Sequence, residues 1–367
     1  MKKRMAVSIG LATCLSFNMH SAEASGFANA DASAAGIGVA NAMVAGVADV
    51  SAASYNPAAI AWLDGINVQL NSAIELRNSS VIVPAGVTSN GGNNYKVQGF
   101  HAAWMPHRGN LGVSAALTRP FVNQTSWFGE QTTIDVNRWS LDLVYALSST
   151  LSVASGVDVY QSRMKMTQGA AFFSGRDKAS FGINVGVNWK PAPFWQAGML
   201  LRTGTRAKVA GAAGKSVDLN LPEQLTLGVS HDMNDAVRLE ADLEYTHWSR
   251  LKNLNVNGGT IVHSGGLKNT LSLKTGLTWY WLPNSTFRFG YAYDPAANSL
   301  SAYEPALADQ AGHRLSMGAG GDLFGVHVDV AYAYSFYFNQ TVTAPVAVAG
   351  IYRDRQQTWT FSLSKVF

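Results

Sequence analysis

The chain has 367 residues, of which 47% are hydrophobic and only 14% charged, with a formal net charge of +4. Soluble domains carry about 25% charged residues and disorder needs low hydrophobicity with high net charge, so a disordered chain is excluded and part of the surface must lack charge. One cysteine excludes a disulfide framework or a thiolate metal site. No stretch after residue 24 approaches the roughly 18 uninterrupted apolar residues of a membrane helix, so a membrane-embedded chain would have to cross with strands.

The first 24 residues read as an export signal. Lys2, Lys3 and Arg4 form a positive start, Met5 to Phe17 is an apolar run, and Ala22-Glu23-Ala24 offers a small-x-small cleavage site before Ser25. Three basic residues and one acidic residue would leave with it. The remaining 343 residues then hold 24 basic and 22 acidic side chains and no cysteine. That near balance removes the case for nucleic-acid binding, and a cysteine-free exported chain suits an oxidising compartment.

Residues 25 to 64 are rich in Ala and Gly, with helical rather than alternating spacing, as in Asp31-Ala32-Ser33-Ala34-Ala35-Gly36-Ile37-Gly38. Ahead of a wide barrel they are expected to form a plug, or hatch, rather than a free tail.

From residue 65 onward the chain alternates. Ile66, Val68, Leu70, Ile74 and Leu76 oppose Asn67, Gln69, Asn71, Glu75 and Arg77, the period of a strand with one greasy and one wet face. Twelve such residues match the roughly 9–11 that cross a bilayer at a tilt. The pattern predicts fourteen strands, near 66–78, 95–105, 110–121, 137–147, 151–163, 178–190, 194–208, 222–231, 236–248, 268–281, 286–294, 312–321, 325–338 and 357–367. Six short turns alternate with seven long polar loops. This is the plan of an antiparallel, closed transmembrane β-barrel with short periplasmic turns and long external loops. Trp104, Trp189, Trp195, Trp279 and Trp281 sit beside the short turns, where an aromatic girdle belongs. The last strand ends on Phe367, an ending that outer-membrane barrels share and that their assembly machinery reads.

Catalytic and metal motifs are weak. Gly211-Ala212-Ala213-Gly214-Lys215-Ser216 lacks the first glycine of a phosphate loop, because Val209 stands there. The eight histidines form no H-E-x-x-H or i, i+4 pair, so neither a metal site nor a cofactor is expected. A hydrolase would need a serine, a histidine and an orienting polar group at one depth. His101 and His247 fall on apolar-parity positions, facing lipid or the interface, so no enzyme is expected. An aqueous porin, with opposed charge rows and a constriction loop, is the alternative reading.

Several segments together resemble the FadL/TodX family of outer-membrane transporters of long-chain fatty acids and hydrocarbons in Gram-negative bacteria. They are Gly26-Phe27, the small residues around Gly36 and Gly38, Tyr55-Asn56-Pro57-Ala58, Leu221-Pro222-Glu223-Gln224-Leu225, Asp242-Leu243-Glu244-Tyr245-Thr246-His247-Trp248 and Phe289-Gly290-Tyr291. The resemblance spans essentially the whole exported chain. It implies a hatch over 25–64 in a barrel over 65–367, with Phe27, Asn56, Pro57 and Ala58 as hatch or gate residues. It implies ligand capture by external loops and passive, lateral release of hydrophobic molecules into outer-membrane lipid beside a kinked third strand. Gly109 and Gly112 are the kink candidates, with Asn56 bonding backbone freed there. Inward Gly182, Gly186, Gly198, Gly228, Gly276, Gly290, Gly318 and Gly320 leave room for the hatch or an acyl chain, or ease barrel curvature. A buried carboxylate ligand needs a cation. By parity Arg138, Arg202, Lys274, Arg288 and Arg314 face the lumen. Arg138 and Arg314 are placed near the external rim and Arg288 near the periplasm, which leaves Arg202 and Lys274 as head-group candidates. The alternative is that this pair braces the hatch through Asp142, Asp158, Glu240 or Asp242.

Overall fold

The computed structural model describes residues 26–29, 32–89, 93–127, 129–257, 259, 261–263, 266–298, 303–304, 307, 309–343 and 349–367. The expected export signal lies outside them. Fourteen long strands form the wall: β1 (Gly65–Val83), β2 (Asn93–Met105), β3 (Leu111–Trp127), β4 (Glu130–Ala146), β5 (Leu151–Gln168), β6 (Ala171–Ala192), β7 (Trp195–Arg202), β8 (Gln224–Asn234), β9 (Val237–Thr246), β10 (Thr270–Leu282), β11 (Ser285–Asp294), β12 (Gly312–Leu323), β13 (Val326–Tyr337) and β14 (Gly350–Val366). Neighbours pair antiparallel, and β1 pairs with β14 from Asn67↔Val366 to Ile82↔Ile351, which closes the sheet. Closure pairs the first strand with the last, as strands that span a bilayer require.

The polarity is that of a membrane barrel. Leu70, Leu141, Leu143, Phe181, Ile183 and Leu315 stand exposed on the outer face, while Asn71, Glu75, Asp142, Asp158 and Asn184 are buried inside. Trp104, Trp189, Trp195, Trp279 and Trp281 are exposed at the periplasmic ends. No described helix is long and apolar enough to cross a membrane.

The strands differ from the pattern expected. β1 runs on to Val83 and pairs with Gly86–Ser89 inside the expected loop 79–94, and β14 starts at Gly350 inside the expected loop 339–356. Two further differences matter more for the lumen. The segments 122–136 and 164–177, read as loops, are strand for most of their length, because β3 to β6 continue well beyond the bilayer. The reason is a change of face. Within the membrane, Leu141 and Leu143 point out and Ser140 and Asp142 in, whereas higher up Ile134, Val136, Met164 and Met166 are buried inside and Asp135, Arg163 and Lys165 lie outside that core. The period persists, but the apolar set moves to the other parity and the loop reading follows. Second, the strand expected over 194–208 ends at Arg202. Past Thr203-Gly204, Thr205–Gly211 pairs with Ser216–Leu221 as a separate hairpin.

The N-terminal segment occupies the lumen as two short helices, α1 (Ala34–Gly38) and α2 (Ala52–Tyr55), followed by a 3-10 turn over Pro57–Trp62. Ser33 caps α1, its hydroxyl accepting from Gly36 N at 3.0 Å. Asn56 caps the 3-10 turn, with Pro57 at the first position, where its missing N–H costs nothing. The inward glycines make room for this plug. A Cβ on Gly198 would lie 2.0 Å from Val44 O, and one on Gly290 would lie 2.3 Å from Ala40 N. Gly186, Gly228 and Gly276 likewise face Asn56, Val44 and Val39. Of the three readings of these glycines, close approach of the hatch is the one realised at these five positions, by backbone at Gly198 and Gly290 and first by side chains at Gly186, Gly228 and Gly276. Gly182 and Gly320 face wall residues instead.

Candidate functional site

The hatch is tied to the wall by polar side chains on inward positions. Asp242 Oδ2 accepts from Met43 N and Val44 N at 2.8 and 2.9 Å. Ser362 and Ser316 accept from Ala34 N and Ala40 N at 2.8 and 3.0 Å. Arg238 donates to Gly46 O at 2.8 Å, and Ser152 donates to Ala58 O at 2.7 Å. Burial pushes the Asp49 carboxyl on the hatch above its usual range, with hydrogen bonds to Ser51 offsetting part of the rise.

The expected gate residues do not all meet the third strand. Asn56 is fully buried and donates to Val44 O at 2.8 Å and to Val187 O at 2.9 Å, so its wall partner is β6. Gly186, with no side chain, lets the amide come that close. Ala58 is fully buried, and its N–H donates to Asn56 Oδ1 at 3.2 Å. Phe27 bonds β3 directly. Its carbonyl accepts from Val122 N at 3.0 Å, and its ring packs on Trp248 and Phe121 at centroid distances of 4.8 and 6.0 Å.

The irregularity in β3 also lies elsewhere than expected. Gly109 belongs to the turn, its N–H bonded to Pro106 O at 2.8 Å, and Gly112 is in regular register with Val144. The register with β4 shifts between Thr118 and Phe121, at Arg119-Pro120. Proline has no N–H for the ladder, which places the break there rather than at the glycines. On the other side, β2 pairs with β1 from Asn93 to Met105, yet with β3 only from Phe100↔Leu117 to Trp104↔Val113. Above Leu117 the two strands part. Residues 27–29 take the freed edge, with Ala28 bridging Phe121 and Asn29 N donating to Pro120 O at 2.7 Å. Arg119 spans the parting, its Nη1 donating to Lys96 O on β2 at 2.8 Å and its Nε to Asp135 at 2.7 Å.

A cavity abuts this break. Thr118, Arg119 and Pro120 line it from β3, and Ala28, Asn29, Ser54 and Tyr55 from the hatch. Arg138, Leu200, Arg202, Asp242, Glu244 and Lys274 complete it. Both head-group candidates are here, and both are already engaged. Arg202 Nη1 donates to both oxygens of Asp158 at 2.7 Å, and its Nη2 donates to Ser54 O at 3.1 Å. Lys274 donates to Glu244 at 2.8 Å. The sequence pattern puts Arg138 near the rim, but β4 begins at Glu130, so it sits well down the strand and lines the same cavity. It is buried, has no ion pair within 4.0 Å among the described residues, and its Nε has no hydrogen-bond partner. The flip of apolar parity above it hid that depth from a sequence reading.

Above the cavity the interior is apolar. Ile134 and Val136 of β4, Met164 and Met166 of β5, Val217 and Leu219 of the hairpin, and Trp248, Leu251 and Ile261 form one buried cluster with Phe27 and Phe121.

His101 does not face lipid, as its parity implied. It is fully buried in a chain of hydrogen bonds that ends on the hatch: Ala34 N donates to Ser362, Ser362 to Asn71 Oδ1, Asn71 Nδ2 to His101 Nδ1, and His101 Nε2 meets Ser54 Oγ at 2.8 Å. The residue types are those of a Ser–His–Asn triad, but the amide donating to Nδ1 puts the proton on Nε2, which then donates to Ser54. A general base needs the reverse. His247 is partly exposed, 3.4 Å from Glu223.

Comparison with known proteins agrees with this architecture. Outer membrane protein P1 of Haemophilus influenzae is 33% identical over 129 residues, which is 33% of this chain and 28% of that protein's length. Solved structures share the fold at low identity. A Pseudomonas aeruginosa FadL homologue superposes with a TM-score of 0.81 at 18% identity, over 93% of this chain and 100% of the other. The P. putida toluene transporter TodX gives 0.68 at 15% identity, over 90% and 98%. The monoaromatic hydrocarbon channel CymD gives 0.69 at 14%, over 92% and 98%. The family model described as outer membrane protein transport protein (OMPP1/FadL/TodX) matches residues 15–362, and the chain therefore belongs to that family of outer-membrane transport proteins.

Proposed function

We propose that the protein takes up lipophilic molecules, fatty acids or hydrocarbons, by passive movement through the apolar outer interior into the cavity, and releases them sideways between β2 and β3. The single observation that supports this reading most is the position of the cavity. It lies beneath a buried apolar cluster and against the one place where β2 leaves β3 below its full height. A hydrophobic ligand gains about 25 cal/mol per Å² on leaving water, and the hatch packed against the wall fills the lumen below the cavity. Lateral exit into lipid keeps that gain, whereas periplasmic exit forfeits it. Arg119 acts as the latch across the exit. Arg138 takes a carboxylate head group where the ligand has one, while Arg202 and Lys274 brace the hatch and the wall. The exported chain begins after residue 24, residues 25–64 are the hatch, and the activity is transport rather than catalysis.

The test joins the two strands. Cysteines at Lys96 and Arg119, bridged by a short bifunctional thiol reagent, are expected to abolish oleate and toluene uptake by cells carrying the protein at normal surface level. Uptake should return with a reducible bridge once it is cut. Undiminished uptake through the bridged protein would dismiss lateral exit.

A further inference from the structure

Three external segments that are far apart in sequence bring together Glu130, His263 and Glu304. Glu130 opens β4, His263 lies in the short ribbon Leu254–Asn255/Val262–His263 between β9 and β10, and Glu304 lies between β11 and β12. Each offers one ligand atom, and the three atoms lie within 4.8 Å of one another. His263 is fully buried, and neither of its ring nitrogens has a hydrogen-bond partner. Its Nδ1 lies 3.3 Å from Glu304 Oε2, close but without hydrogen-bond geometry. A buried imidazole with both nitrogens unpartnered carries a desolvation cost of about 1–3 kcal/mol per group, and native folds rarely leave one so.

We infer that these three residues form a binding site for a zinc-class divalent cation that cross-links the external loops. The chemistry selects the ion. An imidazole nitrogen with two carboxylate oxygens suits zinc and its borderline neighbours, while calcium takes six to eight oxygens and magnesium an octahedron of them. The spacing agrees as well. Ligands about 2.1 Å from a tetrahedral ion stand about 3.4 Å apart, close to the 3.3 Å between His263 Nδ1 and Glu304 Oε2. Only Glu130, half-buried at the strand end, must close in, and water completes the fourth position.

The location gives the ion work to do. Ile261, two residues from His263, belongs to the apolar cluster above the cavity. Tyr303, next to Glu304, packs on Tyr352 at 4.7 Å in a separate cluster with Trp127. A metal at this point ties the two clusters into one roof over the ligand's way in. The three ligands lie far apart in sequence and share no local spacing, so no motif marks the site. The site is independent of what the barrel transports.

The experiment uses the full exported chain in detergent micelles, stripped with EDTA and then dialysed against zinc chloride, with bound metal measured by mass spectrometry. One zinc per chain is expected, with protection of the external loops from protease, and no uptake of calcium at the same concentration. His263→Ala should lose the ion. Glu304→Gln should weaken binding by at least the tenfold to hundredfold, roughly, that even an outer-shell change costs. Heat-modifiable gel mobility verifies that each variant is folded, and Glu304→Gln carries the test alone if His263→Ala is not. Zinc far below one per chain, zinc retained equally by the folded variants, or calcium bound as tightly as zinc would each overturn the site.

Discussion

Arg138, Arg202 and Lys274 carry the same charge into one cavity, and their partners separate their roles. Arg202 holds Asp158, whose side chain is fully buried, at 2.7 Å. Removing the cation alone leaves that carboxylate unpaired, at a cost of about 3–5 kcal/mol. Arg202→Met is therefore expected to lower thermal stability in micelles, and Arg202→Met with Asp158→Asn to recover most of it. Equal melting of the single and double variants would count against the bracing role. Arg138 hydrogen-bonds Tyr160 and holds no carboxylate within ion-pair distance among the described residues, while Asp158 keeps Arg202 as its direct partner. Arg138→Met is expected to weaken oleate binding by about tenfold to a hundredfold, the range of a hydrogen bond to a charged group, while toluene binding is unchanged. Loss of both ligands, measured by equilibrium binding in micelles, would show that Arg138 shapes the cavity instead of meeting a head group.

The hatch and β3 work as two elements in contact. Many hatch backbone groups bond to wall side chains, and the wall supplies glycines where hatch backbone comes close. A side chain at Gly290 meets Ala40 N and Val39 C, both backbone atoms that cannot swing aside. Gly290→Val is thus expected to unseat the plug without opening the wall. In planar bilayers it should turn a nearly silent protein into a conducting one, as should deletion of residues 26–62. Silence after that deletion would mean that the loops, not the hatch, seal the lumen. Asn56→Ala removes the bonds to Val44 O and Val187 O, worth about 1–3 kcal/mol if those carbonyls stay dry. It is expected to speed protease attack on the hatch and to lower uptake at unchanged surface level.

At the scale of the whole molecule, the register of β1 with β14 pairs the first strand with the last over their whole bilayer-spanning length. The protein is expected to run as a compact, heat-modifiable band in detergent gels, with a β-dominated circular dichroism spectrum. A detergent-independent, water-soluble monomer would contradict the barrel. The plugged lumen separates this molecule from a general porin, since the hatch helices fill the space that opposed charge rows would line.

The sequence by itself determined the number of strands, their direction and which face meets lipid, because period-two alternation and turn composition are local properties of a chain in hydrocarbon. It also marked the loss of that period before residue 65, where the N-terminal helices lie, and singled out the inward glycines. Only the tertiary structure decided where the wall parts. Leu111 to Leu117 reads as ordinary strand and residues 122 to 127 read as loop, and the break depends on which partner each half of β3 finds. It decided the roles of Arg138, Arg202 and Lys274, since an ion pair with Asp158 or Glu244 joins residues of different strands and has no sequence spacing. The external extensions of β3 to β6 were illegible for a related reason. Above the bilayer the solvent changes from lipid to water while the interior stays apolar, so the same alternation carries the opposite meaning, and only the folded barrel shows which face is inside.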